Sequence, residues 1–395
     1  MKKIIFILFL SIPFSPISAL ASSIDSMQIS LLTCSPGSEI YSLFGHTAIR
    51  YEDKSRGIDV VFNYGMFSFR TSNFIWRFVK GETDYQLGAT EYRNFISEYE
   101  YDGREVSQQT LNLSQEEKEK LFFLLQDNYR PENRIYRYNF FFDNCATRPR
   151  DKIEDCINGK IEYKETSEKT QSFRDIIHEY TSNHPWERFG IDLCLGSKAD
   201  KPISYRQKMF APDYLYKSFA AAIIKSSKGE KKALVVATKE LLPKHVEQTD
   251  DKLSFFLTPL QVSFLLFVLV VGITIYDLKR RKSSTPLDFI LFLSAGIAGC
   301  IISFLACFSE HPTVSPNYLL FVFHPFHLLC LPFILKTVKM KHKSWYHLLN
   351  LVVLTLFILL WAVIPQRFDL AVLPLALSLL VRSGSNSILA YKKHK

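Results

Sequence analysis

"YNFFFDNCATRPRD", residues 138–151, is an aromatic run that gives way to Asp143-Asn144-Cys145 and then to two arginines. How its cysteine is read decides the rest of the chain. It is a buried filler, half of a disulfide, or a nucleophile. Cysteine is among the most buried residue types, so a filler is the default after three phenylalanines. A nucleophile needs a base within hydrogen-bond reach and a third group that orients the base.

Those requirements can be met here. A strand up to Asp143 and a helix starting near Cys145 place the thiol at the positive end of a helix dipole, which lowers a thiol's pKa. Arg148 and Arg150 add positive potential, and Pro149 suits a first helical turn. The backbone N–H groups of that turn suit an oxyanion. For the base, His46 opens "HTAIRYED" (46–53), a predicted strand that returns as "GIDVVFNYG" (57–65). A turn centred on Lys54-Ser55 pairs residues whose numbers sum to 109 and sets His46 opposite Asn63, with Cβ atoms about 5 Å apart. The Asn63 amide then takes the Nδ1 proton and leaves Nε2 for a thiol. Against this stands the plainer reading, in which His46 is a satisfied core histidine and the two arginines are solvated helix charges.

Several other elements are legible. "SQEEKEKLFFLLQDNY" (114–129) is the clearest helix, with Ser114 and Glu117 spaced as a capping box. "NFIWRFVKG" (73–81) is a helix ended by Gly81, and "SFRDIIHEYTSN" (172–183) is another. "KSSKGEKK" (225–232) is a basic turn, followed by an expected helix that leads into the membrane. "HEYTSNH" spaces its histidines by six, outside the usual gap for zinc, so no metal is expected.

The chain has 395 residues, 47% of them hydrophobic, and a net charge of +9. Its basic residues cluster beside apolar segments, and no basic helix face or motif supports nucleic-acid binding. Residues 1–21, with two lysines, an apolar stretch and Ala19-Leu20-Ala21, have the layout of a secretory signal peptide. An exported domain over 22–250 and a membrane domain over 251–395 follow. The latter has apolar segments at 254–276, 287–308, 317–336, 345–364 and 368–390, each about the 20 residues that cross a bilayer. "KRRK" (279–282), "KTVKMKHK" (336–343) and "YKKHK" (391–395) follow the first, third and fifth of them. The positive-inside rule then puts the C-terminus in the cytoplasm and the exported domain outside the inner membrane. His324 and His327 lie one helical turn apart in the third segment and are functional candidates by their depth. Arg382 is expected to snorkel at the cytoplasmic end. Four cysteines (Cys34, Cys145, Cys156 and Cys194) fall in the exported domain, and sequence leaves their pairing open.

"LLTCSPGSEIYSLFGHTAIRYED", "VVFNYGMFSF", "NYRPENRIYRYNFFFDNCATRPRDKI" and the five-span tail together resemble the Bacteroidetes-type lipoprotein N-acyltransferase family. The exported domain also resembles the permuted papain-like group of lecithin-retinol acyltransferase and the NlpC/P60 relatives. There a histidine precedes an Asn-Cys pair, as His46 precedes Asn144-Cys145 here. The resemblance implies an α+β permuted papain-like domain followed by an all-α bundle of five spans. It implies Cys145 as nucleophile, His46 as base and Asn63, by its place on the next strand, as the third member. Asn144, Arg148, His324 and His327 are candidate substrate contacts. The implied reaction moves an acyl chain from a membrane phospholipid to the N-terminal amine of a diacylated lipoprotein, with no cofactor. The same dyad also serves a membrane-anchored cysteine peptidase or amidase acting on cell-wall peptide.

Overall fold

The computed structural model describes residues 26–67, 70, 72–165, 170–243, 257–340 and 345–392. The expected signal peptide and the junction between the two domains lie outside these residues. The N-terminal half is a mixed α/β domain. Its strands in chain order are β1 (Met27–Cys34), β2 (His46–Asp53), β3 (Ile58–Met66), β4 (Asp84–Glu91), β5 (Val106–Leu111) and β6 (Ile135–Arg137). β7 (Gly159–Glu162), β8 (Ile223–Ser226), β9 (Lys231–Ala233) and β10 (Val235–Leu242) follow. The main sheet is antiparallel in the order β10-β5-β1-β2-β3-β4-β6, and β7-β8-β9 form a small second sheet.

Alternation along the strands sorts the two faces of the sheet. Ile49, Tyr51, Phe62 and Tyr64 face a core that also takes Leu121 and Leu125 of α3 (Gln115–Tyr129) and Ile153 of α4 (Thr147–Cys156). Ala48 and Val61 face the other way, onto Phe95 and Tyr99 of α2 (Tyr92–Tyr101). The capping box at Ser114 and Glu117 is present in both halves, and α1 (Phe74–Lys80) ends at Gly81 in a left-handed conformation. The helix expected after the basic turn is instead β10, which closes the sheet edge beside β5. Its "VVATKELL" carries the β-branched residues of a strand, and long-range pairing with β5 overrides local helix propensity. Four further α-helices follow among the described residues of this half: α5 (Phe173–Tyr180), α6 (Pro185–Cys194), α7 (Tyr205–Lys208) and α8 (Pro212–Ala220).

The C-terminal half is helical: α9 (Pro259–Arg280), α10 (Thr285–Phe308), α11 (Phe326–Leu329), α12 (Leu331–Met340), α13 (Trp345–Leu359) and α14 (Val372–Lys392). Among the described residues, three helices are long and apolar enough to cross a membrane: Pro259–Arg280, Thr285–Phe308 and Val372–Tyr391. The third expected span is broken. A 3₁₀ turn at Tyr318–Phe321 precedes α11, and Pro325 has no N–H to continue a helix between them. The imidazole of His327 donates through Nε2 to the Val322 carbonyl, 2.8 Å away, and so satisfies backbone that the break releases. α10 packs tightly on this irregular stretch. A Cβ added at Gly299 would lie 2.5 Å from the His324 backbone.

Arg382 does not snorkel. It is fully buried, and all five guanidinium N–H groups have acceptors. Asp288 takes two at 2.7 and 3.1 Å, Asp277 one at 2.9 Å, and the hydroxyls of Thr274 and Ser283 one each at 3.0 Å. This cluster ties α14 to α9 and α10 at the end of the bundle that holds the Ser283-Ser284 connection.

At the opposite end the helical half docks on the α/β domain. Arg367 donates to Asp175 at 2.6 Å and to Asp200 at 3.0 Å, and Gln366 donates to the Leu195 carbonyl at 3.0 Å. The 309–317 connection contributes Glu310 N–H to the Lys80 carbonyl and the Ser309 hydroxyl to Val79. Thus the two connections poor in basic residues both face the N-terminal domain.

Candidate active site

Cys145 sits in a turn built by its neighbours. Asn139 uses its side-chain oxygen to accept from the N–H groups of Phe141 and Phe142, which reverses the chain below the phenylalanines. Asn144 then fixes the start of α4. Its Oδ1 accepts from Ala146 N–H at 2.8 Å and Thr147 N–H at 2.9 Å, while its Nδ2 donates to the Phe140 and Phe210 carbonyls, both at 2.8 Å. Asn144, expected as a substrate contact, is 3% exposed, and its amide is engaged in holding this turn. It also occupies two of the backbone donors expected to form an oxyanion hole. What it presents is Cys145, partly exposed at the mouth of α4.

His46 is held by β2. Gly45 before it has a positive φ of 79°, and a Cβ there would lie 2.6 Å from the Cys34 carbonyl oxygen, so only glycine fits. The hairpin register differs from the expected one by two residues. Asn63 pairs with Ala48, because the connection includes Gly57 in a left-handed conformation. A two-residue shift keeps side chains on their faces. His46 and Asn63 are therefore diagonal neighbours and still meet, with His46 Nε2 3.2 Å from Asn63 Oδ1. With the amide oxygen as acceptor, Nε2 carries the proton and Nδ1 is left for the thiol, the reverse of the expected tautomer. Continuing this register sets Gly65 across from His46. A Cβ built on Gly65 would lie 3.4 Å from Cys145 Cβ, so the missing side chain makes room for the cysteine.

The peptide N–H of Thr47, the residue after His46, favours the charged form of the Cys145 thiol. Together with the close approach at Gly65, this brings the two halves of the site side by side. Burial pushes the Cys145 thiol up to about 11; the Thr47 and Cys145 N–H groups and the charge of Arg104 pull back only part of this. Burial likewise pushes His46 down to about 4, against the Asn63 bond, and Arg104 adds to the depression. At neutral pH the resting pair is therefore an uncharged thiol and an uncharged imidazole. The low-pKa thiolate expected from α4 and the arginines is not the resting state. Arg148 is neutralised by Asp143 at 2.6 and 2.8 Å and lies over the Tyr136 ring, and Arg150 pairs with Asp151.

Arg104 went unnoticed in the sequence. It donates twice to the Ser35 carbonyl, at 2.9 and 2.6 Å, one residue past Cys34, which pairs with His46 across β1 and β2. Nothing local marks it, because only the pairing of β5 with β1 brings it there. Cys34 is buried, with its thiol pushed up to about 12 by burial, and all seven cysteines are free thiols. A cleft of about 340 Å³ opens behind the end of β1, lined by Cys34, Phe44, Glu105, Tyr180, Pro212 and Asp213 among others. Neither Cys145 nor His46 lines it. His324 and His327 stack on each other with ring centroids 3.8 Å apart, and the Tyr346 hydroxyl bonds His327 Nδ1. They belong to the core of the helical half, and no described contact links them to Cys145.

Two family models match the chain. The Lnb N-terminal periplasmic domain matches residues 18–183 and the Lnb transmembrane domain matches residues 250–394. No curated protein and no solved structure matches it. The first match takes in His46, Asn63 and Cys145, and the second takes in α9 to α14. With both domains present in the order that family has them, the chain belongs to the Lnb-type lipoprotein N-acyltransferase family.

Proposed function

We propose that the protein N-acylates lipoproteins at the outer face of the inner membrane, with Cys145 as nucleophile, His46 as base and Asn63 as orienting group. In the first step His46 Nδ1 takes the thiol proton as sulfur attacks the carbonyl carbon of a phospholipid ester. The ester C–O bond breaks, a C–S bond forms, and the proton passes to the departing glycerol oxygen to give a lysophospholipid. In the second step the free α-amine of a diacylglyceryl-cysteine lipoprotein attacks the thioester. His46 moves the amine proton to the sulfur, leaving an amide and the free thiol. Because the resting pair is neutral, proton transfer accompanies attack. In this reading the Cys145 N–H, next to its own sulfur, donates to the developing oxyanion.

One observation carries this reading: Cys145 packs against Gly65, which the β2–β3 register sets across from His46, and His46 lies 3.2 Å from Asn63 Oδ1. The permuted papain-like assignment fits the order of strand histidine, strand amide and helix cysteine in space. Five crossings and a cytoplasmic C-terminus are supported by the alternation of connections. Those at 309–317 and 365–369 face the catalytic domain, and the one at Ser283-Ser284 lies at the far end beside the "KRRK" cluster.

The test is mass spectrometry of a lipoprotein N-terminus from cells relying on this protein. Wild type is expected to yield the triacylated form and Cys145→Ala the diacylated form. Identical acylation in the two would end the proposal. The same thiol and imidazole also serve a peptidase or amidase. Release of cell-wall peptide by the wild type, abolished in Cys145→Ala with acylation unchanged, would establish that reading instead.

A further inference from the structure

α1 has no buried residue, and it holds its apolar side chains open: Ile75 is 78% exposed, Trp76 55% and Phe78 49%. No core of its own domain explains such a helix. Its outer contact is the helical half, where the Trp76 ring lies 4.9 Å from that of Phe304 on α10, and His311 donates to the Phe78 carbonyl at 2.9 Å. The lipid-side residues Ile301 and Phe308 of α10 are themselves exposed, so the apolar surface continues from the span onto α1. A tryptophan at the end of a span, with Arg77 and Lys80 held by Asp84 and Glu82, is the composition of a membrane–water boundary.

From α1 a row of aromatic rings runs inward, from exposed Phe78 to buried Tyr85. Phe78 stacks on Phe74 at 6.2 Å, Phe74 on Phe67 at 5.6 Å, Phe67 on Tyr85 at 5.0 Å and Tyr85 on Tyr138 at 4.0 Å. Tyr138 borders the space over Gly65, where Cys145 lies. Exposed Tyr41 and Met66 flank this row. A continuous aromatic strip thus joins the outer side of α10 to the neighbourhood of Cys145, and the cleft beside Cys34 opens elsewhere.

We propose that this strip is the acyl-chain site of the donor phospholipid. The chain lies over Phe78, Phe74 and Phe67 with its tail toward the bilayer and its ester carbonyl at Cys145. The assignment rests on the acyl-transfer reading above, and its occupant follows from continuity with a membrane span. A soluble protein partner would have to displace lipid from α10 to cover the same surface.

The experiment uses full-length Cys145→Ala in nanodiscs containing a phosphatidylethanolamine with a diazirine on its acyl chain, with crosslinks mapped by peptide mass spectrometry. Label is expected on residues 40–41, 66–67 and 75–78 as well as on the spans. Met66→Asp with Phe78→Asp should lower the label on 40–67 by at least about fivefold while the spans stay labelled. Label confined to the spans overturns the strip. In parallel, acyl-Cys145 is followed by intact mass in the otherwise wild-type chain with hexadecanoyl and butanoyl phospholipids. Phe78→Asp should lower the ratio of long-chain to short-chain rates by at least about tenfold, and an unchanged ratio again overturns the strip. If no donor acylates Cys145 but the crosslinks appear as expected, the strip stands as a lipid site and the transfer reaction falls.

Discussion

Two buried polar centres in this chain look alike on paper and differ in one respect. Around Arg382 every donor has an acceptor, and the guanidinium is fully buried. Around Cys145 the residue stays partly exposed, and the imidazole of His46 on the neighbouring strand uses one nitrogen on Asn63 and keeps the other. A polar group with all its bonds made has nothing to offer a substrate, whereas one with a bond in reserve can accept a proton. Burial alone thus marks neither centre as functional. The unspent hydrogen bond does.

The sharpest way to break this contrast is to exchange the phenotypes. Cys145→Ala should lower acyl transfer by at least about 10³-fold while leaving the melting temperature of the purified protein nearly unchanged. Loss of folding along with activity would make Cys145 structural. Arg382→Ala should do the opposite. It leaves Asp277 and Asp288 buried without a cation, a loss of about 3–5 kcal/mol, visible as a large drop in melting temperature and membrane yield. The double variant Asp277→Asn with Asp288→Asn, with Arg382 retained, should be destabilised likewise, since the guanidinium is then the orphan.

The pH response separates the centres further. With the thiol held up to about 11, its alkylation by iodoacetamide should climb about tenfold per pH unit from 7 to 9, with no plateau near neutrality. A plateau below pH 8 would mean an ion pair. His46 gives the stability arm. Its folded pKa of about 4 lies below its ordinary value, so the unfolded chain binds more protons between the two. Stability should fall as pH drops from about 6.5 toward 4, and His46→Gln should flatten that slope in a thermal-shift series. The smallest effect belongs to Asn63→Ala. It removes one orienting hydrogen bond and should slow turnover about tenfold with the lipoprotein KM little changed. Loss of less than twofold would free Asn63 of its role.

The sequence pattern carried the fold where local signals were strong. Strand alternation placed β2 and β3, and Ser114 with Glu117 marked α3 to within a residue. It failed where long-range pairing decides. β10 reads as a helix until β5 lies beside it, and Arg104 is an ordinary surface arginine until the same strand carries it to Ser35. At the site, the meeting of His46 and Asn63 was legible because a shift of two residues preserves the face. The tautomer was not, since it depends on which ring nitrogen the twisted hairpin turns toward the amide. The break at Pro325 had its residue in plain view, and hydropathy averages it away.

The docking of the two halves has a practical corollary. Asp175 and Asp200 reach their shared cation, Arg367, only because the far end of the polypeptide returns to them. A secreted fragment stopping at Pro243 would keep both acids, lose that guanidinium, and bare the greasy flank of Trp76 to buffer. Such a truncation should aggregate during purification, so assays of this chemistry belong with the intact polypeptide in lipid.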